Sequence, residues 1–190
     1  ADNNTDSLII ANRLELSDFS TIDLTTEVDE LNIAGVANLG TPAAEFIKIV
    51  NEGDVILDGI FAYINASVDV SSTGDLTVRE KIETQELGQP IVLTSTGGSV
   101  VVNEKDLEVI QTVGGDSTVT LNAGDDIVLA TGVNVTGTGT VYLTAGSGIL
   151  DPTPVTDDNP EAIVASSLFI NSAGYVGLKG ESDSPWDVER

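Results

Sequence analysis

Acidic side chains are the main chemistry this sequence offers. It carries 31 Asp and Glu against 7 Lys and Arg, with neither His nor Cys. Without imidazole or thiol there is no Ser-His-Asp or Cys-His nucleophile system, no His- or Cys-based zinc site and no imidazole general base. Carboxylate and calcium chemistry are left. Calcium takes about six to eight hard oxygen ligands, so acidic turns suit it. The densest local set is Asp151, Asp157, Asp158 and Glu161 with Asn159 among them, all in one loop, and these four acids are the calcium candidates. Asp116 with Asp125 and Asp126 is a second set. Neither follows the EF-hand order or the Gly-Gly-x-Gly-x-Asp nonapeptide, of which Gly114-Gly115-Asp116 is a fragment. The competing reading of both sets is a solvated acidic turn.

Paired carboxylates also drive glycoside hydrolysis, and Asp29-Glu30, Asp125-Asp126 and Asp157-Asp158 are candidate pairs. In so acidic a chain, neighbouring acids arise by chance. A polysaccharide groove also needs aromatic platforms and cations, and here there are one Trp, three Tyr and seven basic residues. Catalysis needs convergent geometry rather than carboxylates alone, so the expectation is a non-enzyme. Gly97-Gly98 and Gly114-Gly115 are followed by no Lys and read as turns, not phosphate cradles.

The formal charge of −24 repels nucleic acid and anionic membrane, whose binding requires clustered Lys and Arg. Its simplest effect is to keep a strand-rich chain soluble. No apolar run approaches the roughly 20 residues of a membrane-spanning helix. With no Met and an opening Ala1, the chain reads as a processed or excised piece of something longer. The lack of Cys leaves the compartment open.

Positioning these residues falls to short strands. Val, Ile and Leu dominate the apolar 41%, aromatics are 4%, and Gly, Thr, Ser, Asn and Asp fill most of the rest. β-branched residues suit pleated surfaces, and Gly, Asn and Asp suit turns. Apolar-x-apolar units recur through Leu8-Ile9-Ile10, Leu31-Asn32-Ile33, Val55-Ile56-Leu57, Leu76-Thr77-Val78, Val100-Val101-Val102, Val119-Thr120-Leu121, Val141-Tyr142-Leu143 and Leu168-Phe169-Ile170. Their spacing averages about 23 residues, in the period range of stacked repeats. A second series interleaves with it, including Ile22-Asp23-Leu24, Ile47-Lys48-Ile49, Val68-Asp69-Val70, Ile91-Val92-Leu93, Leu107-Glu108-Val109 and Ile127-Val128-Leu129.

Two strands per coil, about eight coils and one domain over 1–190 describe a right-handed parallel β-helix (a β-solenoid), the predicted fold. An antiparallel β-sandwich is the alternative, since it also spaces short strands regularly. Gly53, Gly74, Gly98 and Gly139 precede strands of the first series, which suggests corners that need positive φ. Three prolines at 152–160 cannot join a ladder, so 151–161 is expected to leave the coil as a loop.

From Asp116-Ser-Thr-Val-Thr-Leu-Asn-Ala-Gly-Asp-Asp-Ile-Val-Leu129 and Gly139-Thr-Val-Tyr-Leu-Thr-Ala-Gly-Ser-Gly-Ile149 onward, the chain resembles the repeat regions of filamentous-haemagglutinin-like adhesins and other giant bacterial surface proteins. Ser167-Leu-Phe-Ile-Asn-Ser-Ala-Gly-Tyr-Val-Gly177 and Ser184-Pro-Trp-Asp-Val188 continue the likeness, with Val176 and Trp186 replacing its usual residues. The resemblance covers roughly the last 85 residues well, and the first half only through spacing. It implies a segment of a longer extracellular or cell-surface rod, structural or adhesive, with Pro185–Val188 leading into another coil. Its implied partners are flanking coils or copies of itself, and a surface glycan or host surface. Against this stand a calcium-dependent binding module and, less favoured, a polysaccharide-active β-helix enzyme.

Overall fold

The computed structural model describes residues 8–17, 19, 21–36, 45–62, 66–84, 89–103, 110–113, 116–130, 133–135, 139–151 and 163–178. Among them are seventeen strands in one sheet and no helix. Every strand pairing is parallel, which excludes the antiparallel sandwich. The chain is a parallel β-solenoid.

Its coils have three faces rather than two. The first face stacks the start of β2 (Ile22–Val36) under β3 (Glu45–Asn51), β5 (Ala66–Ser72), β7 (Ile91–Ser95), β10 (Thr118–Ala123), β13 (Thr140–Ala145) and β16 (Ser167–Ser172). On the second lie β1 (Leu8–Ser17), the middle of β2, the first halves of β4 (Val55–Ala62) and β6 (Leu76–Thr84), then β8 (Val100–Val102), β11 (Ile127–Leu129), β14 (Ile149–Asp151) and β17 (Val176–Leu178). The third joins the ends of β2, β4 and β6 to β9 (Ile110–Thr112), β12 (Val133–Val135) and β15 (Ile163–Val164). β2 runs through all three faces by itself, and the five coils that follow it, opening on β3, β5, β7, β10 and β13, carry all three as well, fewer turns than the eight expected.

Alternation builds the core, because successive side chains of a strand point to opposite sides. Ile47 and Ile49 lie under Val68 and Val70, then Ile91 and Leu93, Val119 and Leu121, Val141 and Leu143, all buried. The third face adds one column, Ile33, Ile60, Ile82, Ile110 and Val133, each at most 1% exposed. Each such side chain contributes about 1.5–3 kcal/mol by leaving water. A single coil could not bury them; its neighbours above and below do.

The ladders also explain the uneven spacing. Val102 pairs with Leu129 on the second face, and Leu93 with Leu121 on the first. Following the apolar units from Val102 to Leu121 therefore jumps from one face to another. The real steps are 27 and 28 residues, because this coil carries the extra residues 104–109. Leu107-Glu108-Val109, 40–44 and most of the 151–161 loop lie outside the described residues.

Candidate functional site

Asp151 closes β14 and pairs with Leu178 in the ladder. Asp157, Asp158 and Glu161 lie outside the described residues. The second acidic set comes apart: Asp116 precedes β10, whereas Asp125 and Asp126 follow it. A strand of six residues separates them by about 20 Å. Among the described residues no three acids gather to hold a metal. The calcium reading of the 151–161 loop is tested by melting the protein in EDTA and then in millimolar calcium: a midpoint raised by calcium supports it, and an unchanged midpoint rejects it.

The corner acids hold the coils together. At the turn from the first to the second face, the Asp75 amide donates to Asp54 Oδ1 (2.8 Å), and the Ser99 amide to Asp75 Oδ1 (2.7 Å). The Asp126 amide donates to Ser99 Oγ (3.4 Å), and the Gly148 amide to Asp126 Oδ1 (2.8 Å). Each side chain thus caps the amide at the same position one coil on, where the strand ladder is interrupted. Asp125, the other half of a candidate catalytic pair, accepts from Ser147 Oγ at 2.6 Å.

This arrangement corrects the reason for the corner glycines. Only Gly53 has a positive φ there, 90°. Gly74 and Gly98 are needed for clearance, because a Cβ on either would collide with the carboxylate (Asp54 or Asp75) that caps the next amide. Gly139 belongs to a different corner, the entry to the first face at β13; its carbonyl accepts from the Ser166 amide at 3.1 Å.

Inside the same corner runs a buried polar column that the sequence reading missed. Asn51 and Ser72 are paired in the ladder, as are Ser72 and Ser95, and all three are at most 1% exposed. Asn51 Oδ1 accepts from Thr26 Oγ1 (2.8 Å) and the Val28 amide (2.9 Å), while its Nδ2 donates to the Asp54 carbonyl (3.1 Å). Ser95 Oγ donates to the Gly74 carbonyl (2.6 Å) and accepts from the Gly98 amide (3.0 Å). A signal was present: a small polar residue two or three places before each corner Gly.

On the outer surface of the second face, Glu30 and Asp58 lie between two arginines. Arg13 Nη1 is 2.9 Å from Glu30 Oε2 and 3.1 Å from Asp58 Oδ2. Arg79 Nη2 is 3.2 Å from Glu30 Oε1 and 3.0 Å from Asp58 Oδ1. Hydrogen bonding to Glu15 and then Glu30 raises the Arg13 pKa, and bonding to Asp58 raises that of Arg79. A raised folded-state pKa means that the stabilisation linked to each guanidinium is present at neutral pH and is lost as the pH rises into strong alkali. Glu30, half of the Asp29-Glu30 pair, thus serves as an ion-pair partner. Arg79→Glu is expected to lower the melting midpoint in dilute buffer, with much of the loss recovered near 1 M salt, where screening acts over about 3 Å. A salt-independent loss would mean that packing, not charge, was disturbed.

Two surface features remain. A shallow groove of about 410 Å³ is lined by Asp126, Ser147, Gly148, Leu150, Gly174 and Tyr175. Its one carboxylate is engaged by the Gly148 amide. The other feature is the outer surface of the first face, where Tyr142 and Phe169 stack with ring centroids 5.0 Å apart and planes 11° apart. No protein-family model matches the chain, and neither a curated protein nor a solved structure matches it.

Proposed function

We propose that the chain is a structural segment of a large secreted or cell-surface protein, a stiff spacer or filament building block with an adhesive role. The observation that carries this reading is the continuous ladder of parallel strands from β1 to β17, reinforced at one corner by side chains that cap the next coil. Nearest-neighbour interfaces repeated in this way resist bending and set a length. The absence of His and Cys from the sequence favours a non-catalytic role. The likeness to filamentous-haemagglutinin-like repeats supports the extracellular setting.

Flanking coils or further copies are the partners this reading assigns. Leu168 and Ile170 occupy inward positions above Val141 and Leu143, yet are 38% and 41% exposed against 0% and 1%. Another coil stacked on β16 would cover them, as each coil covers the one beneath. Two observations on the native protein test the proposal. Antibody against the chain should label intact cells, and negative-stain images should place it within an uninterrupted rod. Labelling only after permeabilisation, or a compact particle with no rod, overturns it.

A further inference from the structure

Charge is unevenly distributed over the first face. Its first three strands carry Asp23, Glu45, Lys48 and Asp69, whereas β7, β10, β13 and β16 contain no charged residue at all. In a chain of formal charge −24, four successive uncharged strands form a distinct surface. One outward column there runs Thr120, Tyr142, Phe169, and the next runs Asn122, Thr144, Asn171. The last two strands present theirs exposed, Tyr142 at 40% and Phe169 at 56%.

We propose that this face binds a neutral polysaccharide laid across the strands. Hydroxyl and amide side chains repeating at about 4.8 Å offer donors and acceptors on the scale of successive sugar rings. Tyr142 covers one face of the Phe169 ring. Phe169 stays more than half exposed, and the outward surface of its ring offers apolar area to the C–H face of a sugar. A uronate or sulfated glycan would meet the repulsion of the whole chain.

The size of the face argues against a second copy as its occupant. Four strands at about 4.8 Å by about six residues at 3.4 Å cover roughly 400 Å². A stable protein interface takes about 800 Å² per partner, and two copies bring −24 each. A ribbon of sugars needs less area and no charge.

Affinity electrophoresis through gels containing a neutral glucan, mannan, xylan or galactan, with alginate as the anionic control, tests the assignment. At least one neutral polymer should retard the chain, and alginate should not. The Tyr142→Ser/Phe169→Ser double variant and Thr120→Asp should each weaken retardation at least tenfold while keeping the wild-type melting curve. Retardation by none of the four neutral polymers, equal retardation by alginate, or undiminished binding by both variants overturns the proposal. So does a concentration-dependent dimer in sedimentation that Thr120→Asp dissolves, which would give the face to a second copy. Any of these failures leaves the spacer reading standing, because that is judged by labelling and imaging instead.

Discussion

Replacing Asn51 with Leu is expected to destabilise the protein by about 3–5 kcal/mol, although the new side chain is apolar and the site is buried. The side-chain amide of Asn51 is 0% exposed and bonded on both its oxygen and its nitrogen. Leucine would leave the Val28 amide and the Thr26 hydroxyl, both buried, and the part-buried Asp54 carbonyl without this partner. An unsatisfied buried polar group costs about 1–3 kcal/mol, and two are stranded together. Asn51→Asp should fail as well. It keeps the acceptors but loses the donor to the Asp54 carbonyl, and it buries a charge. Ser is the discriminating replacement, since Ser72 and Ser95 hold the same position in the next two coils. Asn51→Ser should cost clearly less than Asn51→Leu in urea unfolding. Equal losses would show that the amide's bonds do not matter.

The second large effect is expected at Gly146, whose substitution should cost about 2–3 kcal/mol through overpacking. A Cβ there would collide with the Gly124 carbonyl oxygen one coil below and lie 2.9 Å from its carbonyl carbon. Both are backbone atoms, so no side chain can swing away, and the coils must part locally. Gly146 keeps its place in the ladder of corner amides, donating to the Ala123 carbonyl at 3.0 Å. Gly53 is the contrast. Nothing lies within 4 Å of a Cβ built on it, but its φ is 90°. Gly53→Ala should therefore cost about 1–2 kcal/mol from backbone strain alone, and Gly53→Asn less, because Asn tolerates positive φ better. At Gly146, Asn should be no better than Ala. If Asn rescues both positions alike, conformation rather than clearance governs the corner.

These two residues mark what the sequence could and could not reveal. The stacked-coil fold was legible because Val, Ile and Leu alternate in short runs that recur at a roughly constant interval. The third face was not. In β2, β4 and β6 the chain passes from the second face to the third within one continuous strand, so no turn residue announces the change. In β9 and β12 the third-face strand is three residues long, with Ile110 and Val133 as the large buried side chains. Corner glycines were visible as a pattern, but their reason lay in the approach of the coil below, which no local rule encodes. The acids illustrate the same limit. Asp126 reads as a candidate ligand in the sequence, whereas stacking turns it, like Asp54 and Asp75, into a cap for an amide of the next coil. The charge-free run of strands on the first face could be read only after the ladder placed β7, β10, β13 and β16 side by side.

The claim on which everything else rests is that successive coils stack in the observed register. With no Cys in the chain, pairs of introduced cysteines can carry spin labels without background. Val50, Ser71, Thr94, Asn122, Thr144 and Asn171 form one outward column on the first face. Labels at Val50 and Asn122 are separated by three strand spacings, Val50 and Thr144 by four, and Val50 and Asn171 by five. Pulsed dipolar distances should grow by about 4.8 Å at each step, from about 14 Å to about 24 Å. Distances that fail to rise in that order, or that fall as the sequence separation grows, would contradict the solenoid and with it the spacer.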